Sequence, residues 1–572
     1  MSHHRQQLRC IAHIAILVVV TTLLASCESQ ETLSAPPPWF ENTASTSGIS
    51  FQFVSGYGER PLLPEIVGGG VAIADFNGDS SLDLYFVQAG FNLDIGRLNT
   101  TEPIPPNELY FNEGNLKFTK AEQIGDAVDR SYGMGAYAGD YDNDGDLDLY
   151  LTNVGPNKLL SNDGNGVFHD VTEQAKVGDS SWSTAASFVD FNTDGHLDIY
   201  VSNYIDWSPE SELACSSKGQ LTYCLPTSYQ SEAQDRLYQN NGDGTFNDIT
   251  LEAGLTTDFG PGLGIVTADF DLSGTIDVFV ANDTMVNQLW LQQSSFKFLN
   301  QATSWGSAVD DHGFPKAGMG IDTADIDHDG DFDVVVVNFE GQTDSFHQNE
   351  GTYYLDVTSR FGLGVGSRRY TRFGVVLADF DNDGFVDMYQ ANGKVDGVAA
   401  SPDDPFKEPN TLFQGLDQDG RFRFSMVPPP GGVSEPLIHT SRGTAVADLD
   451  NDGGLDLVVV NKDNNVYLLK NVVANRNNWI RVRPVLKGNQ PAIGAVVKTT
   501  LADKVLTGVA KTSGSYLASN DPSVHFGLGK VLDIESVGVH WLDGLKENFG
   551  SFEVNQEIVL VRGQGAPIED TN

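Results

Sequence analysis

Asp140-Tyr-Asp142-Asn-Asp144-Gly145-Asp146-Leu-Asp148-Leu-Tyr150 carries a carboxylate at every odd position of a nine-residue loop. Positions 1, 3, 5, 7 and 9 therefore all offer hard oxygen donors, and the glycine at position 6 supplies the left-handed backbone that folds them around one point. The pattern occurs seven times, starting at Asp75, Asp140, Asp190, Asp269, Asp325, Asp379 and Asp448. A small-residue run precedes the loops, such as Gly318-Met-Gly-Ile-Asp-Thr-Ala324, and an apolar, β-prone run follows, such as Phe332-Asp-Val-Val-Val-Val-Asn338. That alternation predicts a strand on each side, so that each loop is the turn of a hairpin.

The first five ligand positions resemble those of an EF-hand, but no amphipathic helix follows. Loop two (Asp140, Asp142, Asp144, Asp146, Asp148) and loop five (Asp325, Asp327, Asp329, Asp331, Asp333) have carboxylates at all five positions. Loop three (Asp190, Asn192, Asp194, Asp198), loop six (Asp379, Asp381, Asp383, Asp387) and loop seven (Asp448, Asp450, Asp452, Asp456) leave position 7 to a backbone carbonyl. Loop one (Asp75, Asn77, Asp79, Asp83) has Ser80 where glycine is expected, and loop four (Asp269, Asp271, Ser273, Asp277) has a serine at position 5, so both are expected to hold an ion more weakly. Oxygen-only ligation by one flexible loop favours Ca2+ over zinc, copper or magnesium, with up to seven ions in all. The alternative is that Asp, Asn and Gly act only as turn formers, a reading that one copy would allow and seven copies at one spacing disfavour. The ions are expected to be structural, because each loop supplies most of the oxygens and leaves few positions for a substrate.

The net charge of −44 excludes nucleic acid and anionic lipid as direct partners, since both need a basic surface. Cations are the natural partner: 27 of the 78 acidic residues sit at odd positions of the seven loops. With 60 glycines and only 20% charged residues, the composition suits many short strands joined by turns, an all-β chain.

A second hairpin alternates with the loops: Asn162-Asp-Gly-Asn-Gly-Val-Phe168, Asn240-Asn-Gly-Asp-Gly-Thr-Phe246 and Asn349-Glu-Gly-Thr-Tyr-Tyr-Leu355, with weaker copies at Asn112 and Gln292 and a degenerate one near Gly415. The loops recur about every 62 residues, roughly one four-stranded propeller blade with its connection. Phe40-Glu-Asn-Thr43 resembles the outer half of such a unit and precedes the first loop, whereas none follows Val466-Tyr-Leu-Leu-Lys-Asn471. The expected architecture is a seven-bladed β-propeller over 39–471, closed by the N-terminal strand, which removes the exposed edges of an open array. Residues 475–563 read as a small β-sandwich or barrel, followed by a tail at 564–572.

At the other end, Ile11 to Ala25 is an apolar stretch too short for a comfortable membrane span, so residues 1–26 read as a cleaved signal. Leu24-Ala-Ser-Cys27 resembles the lipobox of bacterial lipoproteins, which implies cleavage before Cys27 and acylation of its thiol. Residues 27–38 then form a polar, proline-ended tether. The alternatives are an ordinary signal peptide or an uncleaved anchor. Export would place Cys215 and Cys224 in an oxidising compartment, where a disulfide is expected and two buried thiols are the alternative.

The Asp-x-Asp-x-Asp-Gly-x-x-Asp loops with strands such as Met134-Gly-Ala-Tyr-Ala-Gly-Asp140 resemble FG-GAP/VCBS repeats of integrin-type propellers. Asn477-Asn-Trp479-Ile-Arg-Val-Arg483, Gly514-Ser-Tyr-Leu-Ala-Ser-Asn-Asp-Pro522 and His525-Phe-Gly-Leu-Gly529 resemble the ASPIC/UnbV domain. Together these resemble the cartilage acidic protein family, although Trp541-Leu-Asp-Gly544 stands where the family often has Trp-Pro-x-Gly.

No catalytic residue is assigned: Ser515, Tyr516, Asn520, Asp521 and His525 are suggestive, but Gly514-Ser-Tyr-Leu lacks a nucleophile elbow. The expectation is a lipid-anchored protein of the bacterial envelope, at the outer membrane or cell surface. It would act as a recognition or adhesion module for a glycan or another envelope protein, touching the membrane only through the anchor. The alternatives are a hydrolase acting on a polymer through carboxylates such as Glu65 or Asp206, and a purely structural scaffold.

Overall fold

A computed structural model describes residues 37–56, 61–90, 104–217, 219–395, 404, 406–418 and 421–569. The signal, Cys27 and nearly all of the tether lie outside the described residues. Every element below belongs to the compact unit Pro38–Asn572.

The chain is all-β, as expected, and the α-helices among the described residues are single four-residue turns. Seven sheets follow one another, each with four antiparallel strands, and the first carries a fifth, parallel strand from the C-terminal region. Their first two strands flank the Asp loops: Val71–Ala74 and Asp83–Phe86, Gly133–Gly139 and Asp148–Asn153, Ser183–Val189 and Asp198–Asn203, Gly262–Ala268 and Asp277–Asn282, Ile321–Ala324 and Asp333–Val336, Arg372–Ala378 and Asp387–Asn392, Ser441–Ala447 and Asp456–Asn461. In every sheet the position-9 Asp pairs with the residue just before position 1, from Ala74 with Asp83 to Ala447 with Asp456, so the loops are hairpin connections of one register. The outer two strands come from the second hairpin, for example Lys158–Asn162 and Phe168–Asp170. In the last sheet Tyr467–Asn471 pairs with Phe40–Asn42 from the other end of the chain.

The first strand of each sheet lies against the first strand of the next, and that of the seventh lies against that of the first. Small residues are needed there because the backbones come close: a Cβ added at Gly443 of the seventh sheet would sit 2.1 Å from the carbonyl oxygen of Gly69. The second strands are fully buried, and aromatic rings such as Phe76, Phe168, Phe191 and Phe298 fill the gaps between sheets.

Residues 478–567 add a three-stranded sheet (Val524–Gly529, Asn478–Val485, Gln556–Val561) and a five-stranded one (Val505–Val509, Val496–Thr500, Ser536–His540, Lys546–Asn548, Ala566–Pro567). They share a core containing Ile480, Val497, Leu506, Phe526, Val537 and Trp541. Ala566–Pro567, in the stretch read as a tail, pairs with Asn548 and Glu547. This region sits on the face that carries the Asp loops.

One excursion, residues 511–521, enters the space between the first strands. Ala518–Ser519 pairs in parallel with Val71–Ala72. Ser515 and Ile321 exchange backbone hydrogen bonds of 2.6 and 3.1 Å. Ser519 Oγ accepts from Ala138 N, Ser513 Oγ lies 3.0 Å from Thr267 Oγ1, and Asn520 Oδ1 accepts from Val446 N. Tyr516 packs edge-on to Phe373 and donates to Val67 O at 2.8 Å. The excursion thus touches the first strands of six sheets and fills that end of the space. The opposite end is covered by Leu63–Ile66 and by the insertion at 204–229, held together by Glu212. Its carboxylate accepts from Leu63 N (3.1 Å), Trp207 Nε1 (2.8 Å) and Tyr229 OH (2.6 Å). Cys215 and Cys224 in this insertion form a disulfide, as expected.

Candidate metal centres

The seven loops share one geometry. Positions 4 and 6 are both left-handed in all seven, including non-glycine residues such as Ser80, Asn143, His328, Asn382 and Asn451. Position 6 was legible as glycine; position 4 was not, although the frequent Asn there, which tolerates this conformation, is the signal that could have found it. In every loop but two and five, the position-1 carboxylate (Asp75, Asp190, Asp269, Asp379, Asp448) closes the turn by accepting from the amides of positions 5 and 6 at 2.7–3.2 Å. In loop two Asp140 accepts only from Gly145 N, at 3.2 Å.

Position 9 has a second role that the spacing did not reveal. Asp83, Asp148, Asp198, Asp277, Asp333, Asp387 and Asp456 are all buried, and each splits its two oxygens between two backbone amides. One amide belongs to position 2 of its own loop and the other to the third strand, at Asn112, Asn162, Asn240, Gln292, Asn349, Gly415 and Asn471. Burial pushes Asp83 up to about 7 and Asp198 to about 8, and the other five well above the ordinary carboxylate range, with the amides pulling the other way. A carboxylate has about four lone-pair sites, so these oxygens can still face an ion.

The third-strand residue in turn joins neighbouring sheets. Asn162 Nδ2 donates to Phe76 O of the preceding sheet, Asn240 to Tyr141 O, Gln292 to Phe191 O, Asn349 to Phe270 O, Asn471 to Phe380 O, and Asn112 to Leu449 O of the seventh sheet, all at 2.8–2.9 Å. The sixth sheet lacks this clasp because Gly415 stands there; its missing Cβ would lie 2.2 Å from Val386 O.

How well an ion fits varies by loop. Asp140, Asp142 and Asp148, then Asp269, Asp271 and Asp277, Asp325, Asp327 and Asp329, and Asp379, Asp381 and Asp387, each bring three carboxylate oxygens within 4.8 Å of one another. Loop five fits best: both oxygens of Asp325, Oδ1 of Asp327 and Oδ1 of Asp331 are buried with no hydrogen-bond partner. Such a cluster is costly unless a cation shares it. Burial, followed by repulsion from Asp329, pushes Asp331 up to about 7, and burial does the same to Asp325. Asp140 Oδ1 in loop two is also buried and unpartnered. Loops one and three form internal bonds, with Asn77 Nδ2 to Asp79 Oδ2 at 3.1 Å and Asn192 Nδ2 to Asp194 Oδ2 at 2.8 Å. In loop four Ser273 Oγ lies 2.9 Å from Thr275 Oγ1, and in loop six Asp383 Oδ1 accepts from Phe385 N. Of loop two's exposed acids, Asp144 accepts from Asp146 N.

Loop seven is different. Lys470 Nζ lies 2.8 Å from Asp452 Oδ2 and also touches Asp450, while Arg481 of the C-terminal region lies 2.9 Å from Asp448 Oδ2 and donates to Asn451 Oδ1 at 2.6 Å. Protein cations already answer this loop's charge.

The suggestive C-terminal residues do not converge on a catalytic arrangement. Ser515, Tyr516 and Asn520 belong to the inserted excursion. His525 Nε2 lies 2.7 Å from Asn382 Oδ1, its ring stacks on Trp479, and burial pushes its pKa down to about 3, so it is neutral. Asp521 lies 3.2 Å from Ser523 Oγ. Glu65 is buried under the opposite cover, accepting from Leu62 N and Tyr223 OH, and Asp206 is exposed beyond it.

Family comparisons match this geometry. The model described as "FG-GAP-like repeat" matches residues 75–151, 140–201, 269–336 and 325–390, which takes in the first six loops and leaves out the seventh. The model described as "ASPIC and UnbV" matches residues 485–567. The chain thus carries FG-GAP-like repeats and an ASPIC and UnbV region. Among individual proteins it is similar to cartilage acidic protein 1: 31% identical to that of Xenopus tropicalis over 308 residues, covering 52% of this chain and 44% of the relative. It is 29% identical to that of Homo sapiens over 326 residues, covering 55% and 46%. The chain spans less than half the length of the curated relatives it matches. Among solved structures, an Agrocybe aegerita lectin described as recognising non-reducing terminal N-acetylglucosamine aligns with 69% of this chain and 86% of its own at 15% identity and a TM-score of 0.35. BBS1N, from a complex with ARL6DN, aligns with 76% and 98% at 7% identity and a TM-score of 0.38.

Proposed function

We propose that this protein is an exported recognition or adhesion module: a seven-bladed propeller closed by Phe40–Asn42, stapled by calcium and tethered through Cys27 to a bacterial envelope, with a glycan or another envelope protein as its partner. The observation that carries this reading is that the clustered acidic chemistry is committed to architecture. Every position-9 Asp clasps its own loop to the third strand, and Asn112 links the last sheet to the first. No helix among the described residues is long and apolar enough to cross a membrane.

Bound calcium would supply the positive charge that loop five lacks. Asp325, Asp327, Asp329 and Asp331 would hold it, with Asp333 fixing the loop between the strands. The donors are all hard oxygens, which suits Ca2+. Asp140, Asp142 and Asp148 of loop two are the next best set.

Calorimetry of the native protein with millimolar calcium and with EDTA tests the metal part. A melting temperature several degrees higher in calcium is expected, and identical melting in both would overturn it. Capture of a saccharide or envelope protein by the calcium-loaded protein tests the recognition part, and turnover of a polymeric substrate would replace it with an enzyme.

A further inference from the structure

The C-terminal domain rests on the loop face, and its contacts single out one loop position. Asn143 and Asn382 stand at position 4 of loops two and six, between the carboxylates of positions 3 and 5. Both are left-handed, with φ of 63° and 57°. Each divides its side chain between two neighbours. Nδ2 donates to the position-6 carbonyl of the next loop, Asn143 to Gly195 O at 2.8 Å and Asn382 to Gly453 O at 2.9 Å. Oδ1 faces the C-terminal domain: that of Asn143 accepts from Gln490 Nε2, and that of Asn382 accepts from the neutral ring of His525 through Nε2, at 2.7 Å.

Loop six is engaged through its backbone as well. Gly529 N donates to Asn382 O at 2.8 Å and Asn477 Nδ2 to Asp381 O at 2.8 Å. Gly527 leaves no room for a side chain, since a Cβ there would lie 2.0 Å from Oδ2 of Asp379, the position-1 carboxylate. Loops one and four carry Gly78 and Leu272 at position 4, which have no side-chain oxygen to offer.

We propose that Asn143 and Asn382 couple the calcium state of loops two and six to the seating of the C-terminal domain, an inference that rests on the metal reading above. In these two loops the carboxylate oxygens of positions 1, 3 and 9 lie within 4.8 Å of one another. Without a cation they repel, and relaxing that repulsion moves position 4 and the oxygen it presents. With the loop charge answered, Oδ1 stays where Gln490 and His525 meet it. The coupling is reciprocal, so the seated domain tightens cation binding by the same factor. Loop seven acts as the hinge, because Arg481 brings its own charge to Asp448 and Asn451 and that contact needs no ion. The 511–521 excursion is bonded to the first strands, away from the loops. Removing calcium therefore loosens the domain over loops two and six without releasing it.

Amide hydrogen exchange of the full-length protein in calcium and in EDTA, resolved to single amides, is the test. Gly384 N, which donates to Asp379 Oδ2 at 2.7 Å, reports the state of loop six. Gly529 N reports the seating, and Phe549 N, which donates to Val537 O at 2.9 Å, reports the interior of the C-terminal domain. EDTA should speed exchange at Gly384 and Gly529 about tenfold or more and leave Phe549 within about twofold. The double variant Asn143→Gly/Asn382→Gly keeps a residue suited to the left-handed backbone and removes both oxygens. In calcium it should expose Gly529 while Gly384 and Phe549 stay protected, which also shows that it folds, whereas Leu272→Gly in loop four should change none of the three. If EDTA moves Gly384 but not Gly529, the coupling is overturned and the metal reading stands. If EDTA moves neither, both fail. Phe549 accelerating as much as Gly529 would mark general destabilisation and overturn the coupling, as would a double variant in which Gly529 stays protected.

Discussion

Replacing Asn112 by alanine removes the amide that joins the first sheet to the seventh. Asn112 is 3% exposed; its Nδ2 donates to Leu449 O at 2.9 Å and to Leu82 O at 3.0 Å, and its Oδ1 accepts from Gly114 N at 2.9 Å. Each bond contributes about 1 kcal/mol net, and two carbonyls are left buried without a donor, so the loss should total about 2–4 kcal/mol. An unfolding entropy of ~2.1 cal/mol/K per residue over Pro38–Asn572 is about 1.1 kcal/mol/K. The melting temperature should then fall by about 2–4 °C in calcium. Asn162→Ala is the reference, because its amide makes the equivalent pair of bonds to Phe76 O and Leu147 O at an ordinary junction. If the last sheet closes onto the first, the two variants should lose similar stability by differential scanning calorimetry. A normal loss in Asn162→Ala with a shift below about 0.5 °C in Asn112→Ala would refute closure through this contact.

Lys470→Met should destabilise the protein by about 1 kcal/mol in EDTA, because Asp450 and Asp452 lose their counter-charge. The deficit should shrink in millimolar calcium as an ion replaces that charge, and an equal deficit in both buffers would count against loop seven as a cation site. Glu408, 3% exposed, accepts from Thr371 N at 2.9 Å, and burial pushes its pKa from 4.5 up to about 7. A raised folded-state value means the contribution is fully present below about pH 4.5 and is lost as pH rises through 7, a change on the order of 3 kcal/mol. Glu408→Gln should therefore gain stability relative to the native protein between pH 5 and pH 8 in urea titrations. A constant difference across that range would contradict the assignment.

Much of the fold was readable because its signals are local. Asp at every second position, a left-handed turn and apolar alternation on both sides depend only on neighbours in the chain, and they correctly placed strands around all seven loops. The same signals marked Asn112, Asn162 and Asn240 as turn residues, which they are: each accepts from an amide two residues on. Their second task was invisible. A sequence shows that Asn112 has two donors to place, but its acceptor, Leu449 O, is 337 residues away and is chosen only when the sheets come together.

The C-terminal stretch shows the same division. Ser515, Tyr516, Asn520 and Asp521 invited a catalytic reading because polar residues concentrate there, yet polar side chains are also what a chain needs to satisfy the exposed amides of six converging strands. Loop seven likewise has a good metal pattern on its own, and only Lys470 and Arg481, brought from outside the loop, alter its charge. What the sequence alone determined was therefore the local conformation: the strand class, the turns, and the oxygens grouped within each loop. The tertiary structure decided what those groups face, because hydrogen bonding and charge compensation depend on distance in space, and chain order does not encode that distance.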